Sequence, residues 1–256
     1  MAESTASKPS GPQQKLDDAV IVPRPTRRYR AAAFQVYVLV AASVFVLLAI
    51  AAHFVPYFAI DLKITRAIQS YHGAVFDALM HALSWLGFIP QVDVIAVLTI
   101  LILFIAGLRW EAVTAVFAMC SVAVGGLIKA IVLRPRPSAD LVQVFQQLPS
   151  SGFPSGHTLM ATAFYGYLAF LGYTLLKPSW GRTLYLIVFG LLIALMGPSR
   201  IYLGQHWFSD VAGAYVLGSL WLALTIRVYR WGKPRFFKHQ PVAAEAPRPA
   251  ASAAES

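Results

Sequence analysis

Charge is scarce in this chain. Asp, Glu, Lys and Arg make up 12% of its 256 residues, hydrophobic residues 58%, and only 11 side chains are acidic. Soluble domains carry charge on about a quarter of their residues, so an ordinary water-soluble fold is excluded. A mean hydropathy of +0.63 points to an integral membrane protein. Cysteine is nearly absent as well. Cys120 is the one thiol, which excludes a disulfide framework, and its apolar surroundings suggest a small buried hydrophobe. Carboxylates are too sparse to form an acidic cluster for a divalent cation, so neither metal nor cofactor is expected. The net charge of +10 does not form a basic stripe interleaved with aromatics on a soluble domain, so no nucleic-acid partner is expected.

Long apolar runs are what the chain does have. Six stretches, 33–54, 94–108, 112–131, 159–176, 184–196 and 207–226, approach the roughly 20 residues a membrane helix needs, or reach it by tilting. Asp93 opens the second and Pro198 closes the fifth. The fold expected is all-α, a six-transmembrane helix bundle (33–230) between a disordered N-terminal segment (1–32) and a disordered basic, Ala/Pro-rich tail (231–256). The first stretch is too long for a cleaved signal peptide and reads as a retained anchor. Lys8, Lys15, Arg24, Arg27, Arg28 and Arg30 precede it, and the links 109–111 and 177–182 and the tail 227–238 are also basic. If six helices alternate, all of these fall on one side, which the positive-inside bias makes the cytoplasm, with both termini there.

Residues 58–89 would then lie outside the cytoplasm as two short amphipathic helices. Ile60, Ile64, Ala67 and Ile68 share one helical face, and Phe76, Leu79, Met80 and Leu83 another. Asp61, His72, Asp77 and His81 have no partner assignable from sequence and read as mostly solvent-facing.

Three polar fragments stand out against this background, all at span ends on that same outer face. The first is Lys129 to Pro137, KAIVLRPRP. Lys129 and Arg136 are seven positions apart, which on a continuous helix brings them within about 20° of each other, although Pro135 and Pro137 oppose a regular helix. A guanidinium grips two phosphate oxygens in a planar fork, and an ammonium adds a mobile point charge. Arg134 falls elsewhere on the cylinder and reads as interfacial. The second fragment is Pro154-Ser155-Gly156-His157, where Ser155 is an N-cap candidate and Gly156 lets backbone approach an anion at a helix N-terminus. The third is Ser199 to Asp210, SRIYLGQHWFSD. His206 and Asp210 are four apart, so on a helix the carboxylate accepts one imidazole N–H and leaves the other nitrogen free to attack. Arg200 follows Pro198 and folds back toward the same point. Cations, histidines and a carboxylate at the ends of apolar helices are costly unless they serve a function.

Together the fragments resemble the type 2 phosphatidic acid phosphatase superfamily, membrane lipid phosphate phosphatases that share an active site with vanadium-dependent haloperoxidases. The family pattern is a lysine, six residues, Arg-Pro; then Pro-Ser-Gly-His; then Ser-Arg, five residues, His, three residues, Asp. Every position of it is present here. The resemblance implies catalytic roles for His206, His157 and Asp210, with Lys129, Arg136, Ser155, Gly156 and Arg200 binding the phosphate. His206 would form a phosphohistidine supported by Asp210, and His157 would act as acid and then as base. The implied reaction is hydrolysis of a lipid phosphate or diphosphate, such as undecaprenyl diphosphate, phosphatidylglycerophosphate or phosphatidic acid, at the extracytoplasmic face. The partners are then the lipid substrate and the bilayer. A phosphotransferase using the same intermediate is the enzymatic alternative. A membrane protein that binds phosphate without cleaving it would have no use for the His–Asp pair, and the spans show no inverted repeat of the transporter kind.

Overall fold

In the computed structural model, residues 24–236 apart from Ile89 are described, and among them every regular element is helical. In chain order these are α1 (Arg24–Phe54), α2 (Ala59–Gln69), α3 (Ala74–Trp85), α4 (Gln91–Ile105), α5 (Arg109–Met119), α6 (Ser121–Val132), α7 (Gly156–Met160), a π-helical turn (Ala161–Tyr165), α8 (Gly166–Leu175), α9 (Trp180–Tyr202) and α10 (Phe208–Phe236). Helix α1 starts inside the segment expected to lack structure, and α10 runs into the expected tail. The remainder of both expectations, residues 1–23 and 237–256, lies outside the described residues.

The molecule is a helical membrane protein. Among the described residues, four helices are long and apolar enough to cross a bilayer: Tyr29–Phe54, Arg109–Val132, Trp180–Tyr202 and Phe208–Phe236. Leu39, Leu47, Ile102, Leu127 and Leu191 point outward from the helices, an arrangement that suits hydrocarbon rather than water. The expected second stretch falls on α4, which is apolar but has 15 residues. The expected fourth falls on the run Gly156–Leu175, which the π turn divides. Pro198 does not close the fifth. It lies inside α9, which continues to Tyr202 and so carries Ser199 and Arg200 on helical backbone. Cys120 is exposed rather than buried.

The core lies where the run 156–175 crosses α5, α9 and α10, with Met160, Phe164, Tyr167 and Met196 among its fully buried members. Pieces of this run pack on α6, α9 and α10, so the segment that begins with Gly156 and His157 is the central post of the bundle. Its π turn is wholly buried.

Helices α2 and α3 form where amphipathicity placed them, but they pack differently. In α3, Met80 and Leu83 turn inward onto Tyr202 and Leu203, with Phe76 partly buried against them, as the apolar face requires. Helix α2 docks through its polar stripe instead: Asp61, Thr65 and Gln69, spaced by four, are its buried residues, whereas Ile60 is half exposed. Burying that stripe is tolerable because its two ends, Asp61 and Gln69, are hydrogen-bonded, although the Thr65 hydroxyl between them has no partner. Gln69 Nε2 donates to Gln143 O at 2.7 Å and to Tyr202 O at 2.8 Å, and Asp61 is bound as described below. Asp77 likewise accepts from the Tyr202 hydroxyl. The solvent-facing reading therefore fails for both carboxylates, while His72 and His81 are exposed.

Candidate active site

Helix α6 ends abruptly. Leu133 adopts a left-handed conformation (φ 53°), and its N–H closes on Lys129 O at 3.1 Å. The chain then runs through Arg134-Pro135-Arg136-Pro137 without helical structure, as two prolines demand. Lys129 and Arg136 therefore do not share a helix face. They converge because the chain turns back. Lys129 Nζ donates to Ser151 O at 2.6 Å. Arg136 is fixed by Ser150 O (2.6 Å), Ser150 Oγ (3.0 Å) and Gln205 O (2.6 Å).

His206 is not on a helix either; it sits in the turn between α9 and α10. That turn depends on Gly204 at φ +64°, where an added Cβ would come within 1.9 Å of Gln143 O. His206 is 1% exposed. Its Nε2 lies 3.2 Å from Arg136 Nη1 and its Nδ1 lies 3.5 Å from Asp210 Oδ2. The second distance exceeds a hydrogen bond, as is common before substrate tightens a site. Asp210 stands in the first turn of α10, and its Oδ2 accepts from Trp207 N at 3.0 Å. Gly152 presses on the same oxygen: a Cβ there would lie 3.0 Å from it, with Pro135 O and Arg134 O at 3.4 and 3.5 Å. Burial first, and then the cations Arg136, Lys129 and Arg200, hold the His206 imidazole well below the usual histidine range. The ring is therefore neutral, with a lone pair available at neutral pH.

Ser155 takes the N-cap position of α7, but its Oγ accepts from Thr158 Oγ1 (3.1 Å) and caps no backbone amide. His157 follows within the first turn. Its Nε2 is buried without a hydrogen-bond partner, and its ring stands edge-on to Phe88 at 4.7 Å. Arg200, fully buried in the last turns of α9, donates through Nη1 to Ser84 Oγ and lies over the Phe88 ring at 4.8 Å. Its Nε and Nη2 have no partner. Orphaned donors on a buried cation cost energy that a bound anion would recover.

A cavity of about 310 Å³ is lined by Lys129, Arg136, Gly156, His157 and His206, by apolar residues such as Val92, Val122 and Met160, and by Asp93. Ser155, Arg200 and Asp210 lie fully buried behind this constellation. All eight residues singled out in the sequence thus fall in one region.

Two more belong with them. Arg134, read as interfacial, is 1% exposed; its Nη1 donates to Asp210 Oδ1 at 2.5 Å and its Nη2 to Asp61 Oδ2 at 2.9 Å. The signals were present: the doubled Arg-Pro, and the spacing of four that aligns Asp61, Thr65 and Gln69.

The fold and this pocket define a helical membrane protein with a cluster of cations around two histidines. Residues 110–234 match the model of the PAP2 superfamily, and the chain carries a PAP2 superfamily domain there. It is 40% identical over 72 residues to phosphatidylglycerophosphatase B of Bacillus subtilis, covering 28% of this chain and 36% of that protein. It is 30% identical over 173 residues to lipid phosphate phosphatase delta of Arabidopsis thaliana, covering 63% of this chain and 40% of that protein. The chain therefore spans well under half the length of these curated relatives. Among solved structures, the PAP2-type phosphatidylglycerolphosphate phosphatase from Bacillus subtilis superposes with a TM-score of 0.66 at 25% identity, covering 78% of this chain and 98% of that one. Aquifex aeolicus LpxE shares the fold, with a TM-score of 0.52.

Proposed function

We propose that this protein is a membrane lipid phosphatase that hydrolyses a lipid phosphate or diphosphate through a phosphohistidine at His206. The observation that carries the reading is the pocket itself. Two histidines and several cations line one cavity together with Phe88, Val92, Met119, Val122 and Met160, so a charged phosphate and a greasy tail are accommodated together. The names of the relatives, a phosphatidylglycerophosphatase and a lipid phosphate phosphatase, supply the substrate class.

In the first step the His206 Nε2 lone pair forms a bond to phosphorus. The P–O bond to the lipid breaks, its electron pair stays on that oxygen, and His157, whose protonated form the negative charge of the bound phosphate favours, supplies the proton. The Nδ1 proton of His206 remains directed at Asp210 as the ring gains charge. In the second step neutral His157 takes a proton from water, the water oxygen bonds to phosphorus, and the N–P pair returns to Nε2, releasing inorganic phosphate. Lys129, Arg136 and Arg200, with Ser155 and the Gly156 amide, hold the phosphoryl oxygens as charge redistributes. Three fixed cations fill the role that magnesium plays in other phosphoryl transfers.

The topology belongs to the same proposal. With α4 and the run 156–175 added to the four long helices as spans, six would alternate, and the positive-inside bias then favours an extracytoplasmic pocket, with α2 and α3 at that surface and both termini in the cytoplasm. The test is phosphate release by the detergent-purified protein from undecaprenyl diphosphate, phosphatidylglycerophosphate and phosphatidic acid, in excess chelator, beside His206→Ala. Chelator-resistant release that vanishes in the variant supports the mechanism, and the ranking of lipids narrows the substrate. Folded protein inactive on all three would contradict it.

A further inference from the structure

Asp210 is not free to choose its direction. Oδ2 is set by Trp207 N, and Oδ1 is held by Arg134 Nη1 at 2.5 Å. Arg134 is in turn engaged on every nitrogen: Nε donates to Pro56 O (3.1 Å), Nη1 also to Ser209 Oγ (2.7 Å), and Nη2 to Asp61 Oδ2 (2.9 Å). Asp61 closes the ring. Its Oδ1 accepts from Ser209 N at 2.8 Å, and its Oδ2 accepts from Ser209 Oγ at 2.8 Å and Phe58 N at 2.9 Å. Asp61 and Asp210 are fully buried, and Arg134 is 1% exposed.

The charge count of this ring is unusual. One guanidinium serves two carboxylates, leaving one net negative charge, whereas a single carboxylate would neutralise it. A second buried carboxylate is expensive to desolvate, and anchoring α2 does not require a charge, since Gln69 anchors the same helix with a neutral amide. The surplus has a use if the neighbouring imidazole becomes positive during turnover. The two arginines of the Arg-Pro-Arg-Pro sequence then have separate duties. Arg136 faces His206 Nε2, where phosphate would sit, and Arg134 grips the far oxygen of the carboxylate that faces Nδ1.

We infer that Asp61 and Arg134 are positioning residues for the reaction: they aim Asp210 at His206 Nδ1, and their ring keeps a negative surplus behind that carboxylate, against the cations on the phosphate side, as the imidazole takes up charge. The inference rests on the nucleophile assigned to His206 above. It brings into the reaction Asp61, a residue outside the matched domain, carried by a helix that docks by its polar face.

The experiment compares full-length native protein with Asp61→Asn and Arg134→Lys, with exposed Lys63→Ala on α2 as control. It reads kcat and KM for the best lipid of the panel, thermal stability, and the 15N resonances of His206, assigned by their loss in His206→Ala. Asp61→Asn keeps the shape and most acceptors while removing the charge. Its kcat is expected to fall by about 10–100-fold, the range typical of losing an orienting partner, with KM within about twofold and a smaller share of the Nδ1–H tautomer. Arg134→Lys keeps the charge but not the fork and is expected to fall at least as far. An unchanged kcat and unchanged His206 resonances in Asp61→Asn overturn the inference. So does a fall in activity that tracks lost folded protein while His206 keeps its tautomer. If native protein hydrolyses no lipid phosphate, the proposed function fails separately, and the resonances still decide whether Asp61 and Arg134 set the imidazole.

Discussion

Two buried polar clusters stand at opposite ends of the same helices, and they differ in how completely they satisfy themselves. Glu111 opens the helix 109–132 and Lys129 ends it, about 27 Å apart at 1.5 Å per residue. At the first end, Glu111 accepts from the Tyr229 hydroxyl at 3.1 Å and from Lys233. Thr114 shares a hydrogen bond with Tyr167, and Trp110 Nε1 donates to Tyr229 O at 3.0 Å. One carboxylate meets one ammonium. At the other end four cations gather around two carboxylates, and His157 Nε2 with Arg200 Nε and Nη2 lacks any partner. A staple closes its own hydrogen-bond account, whereas a binding site leaves donors waiting for what it binds.

The largest effect that would break this contrast is at the nucleophile. His206→Ala should lower lipid phosphate hydrolysis by more than about 10⁴-fold, the scale on which loss of a nucleophile operates, with no phosphoprotein trapped after acid quench. Next is Arg200→Met. Activity should drop by about 10²–10³-fold, whereas the thermal midpoint should hold or rise, because an ill-satisfied buried cation is replaced by an apolar side chain of similar length. A matching collapse in stability would mean that Arg200 is structural. The opposite cluster should give the opposite pattern. Glu111→Leu leaves the Tyr229 hydroxyl and Lys233 without their acceptor, which should cost about 1–3 kcal/mol in unfolding assays, with kcat within about twofold. The smallest effect concerns pH. A His206 held below the usual histidine range stays neutral in mild acid, so the acid limb of kcat/KM assigned to the nucleophile should lie below the range of an ordinary histidine. Removing a neighbouring cation, as in Lys129→Met, should move the limb of the residual activity upward, since one source of the depression is gone.

The asymmetry between the ends also explains what could be read without coordinates. Composition gave away the helical membrane fold, because apolar runs of this length have few other uses. The three fragments identified all eight candidate site residues, because phosphate chemistry restricts residue type and spacing narrowly. The local geometry behind them was less accessible. Lys129 and Arg136 were placed on one helix face, and His206 and Asp210 on one helix, whereas both pairs are brought together by turns. Pro198 suggested a helix end, yet α9 passes through it, held in the packed bundle where tertiary contacts override local preference. Helix α2 was the least legible. Its isoleucines marked an apolar face, but the residues it buries are Asp61, Thr65 and Gln69, and the partners awaiting Asp61 are Arg134 and Ser209, which are polar. A pattern of hydrophobicity identifies a face and leaves open what that face meets. In a membrane protein the apolar side of a helix has a second apolar environment to turn to.

The π turn at Ala161–Tyr165 bears on how far the chain length between fixed points is free to vary. A turn closed by i→i+5 bonds takes one residue more than an α turn, so the stretch joining His157 to the packed residues Tyr167 and Leu171 carries a spare residue while its flanks stay in phase. Excising one residue there converts the segment to plain α-helix and leaves the histidine aimed at the pocket. The same excision in α9, which has no such slack, would swing Arg200 by about 100°. The post that carries the proposed acid and base therefore tolerates a change of length more readily than a change of direction.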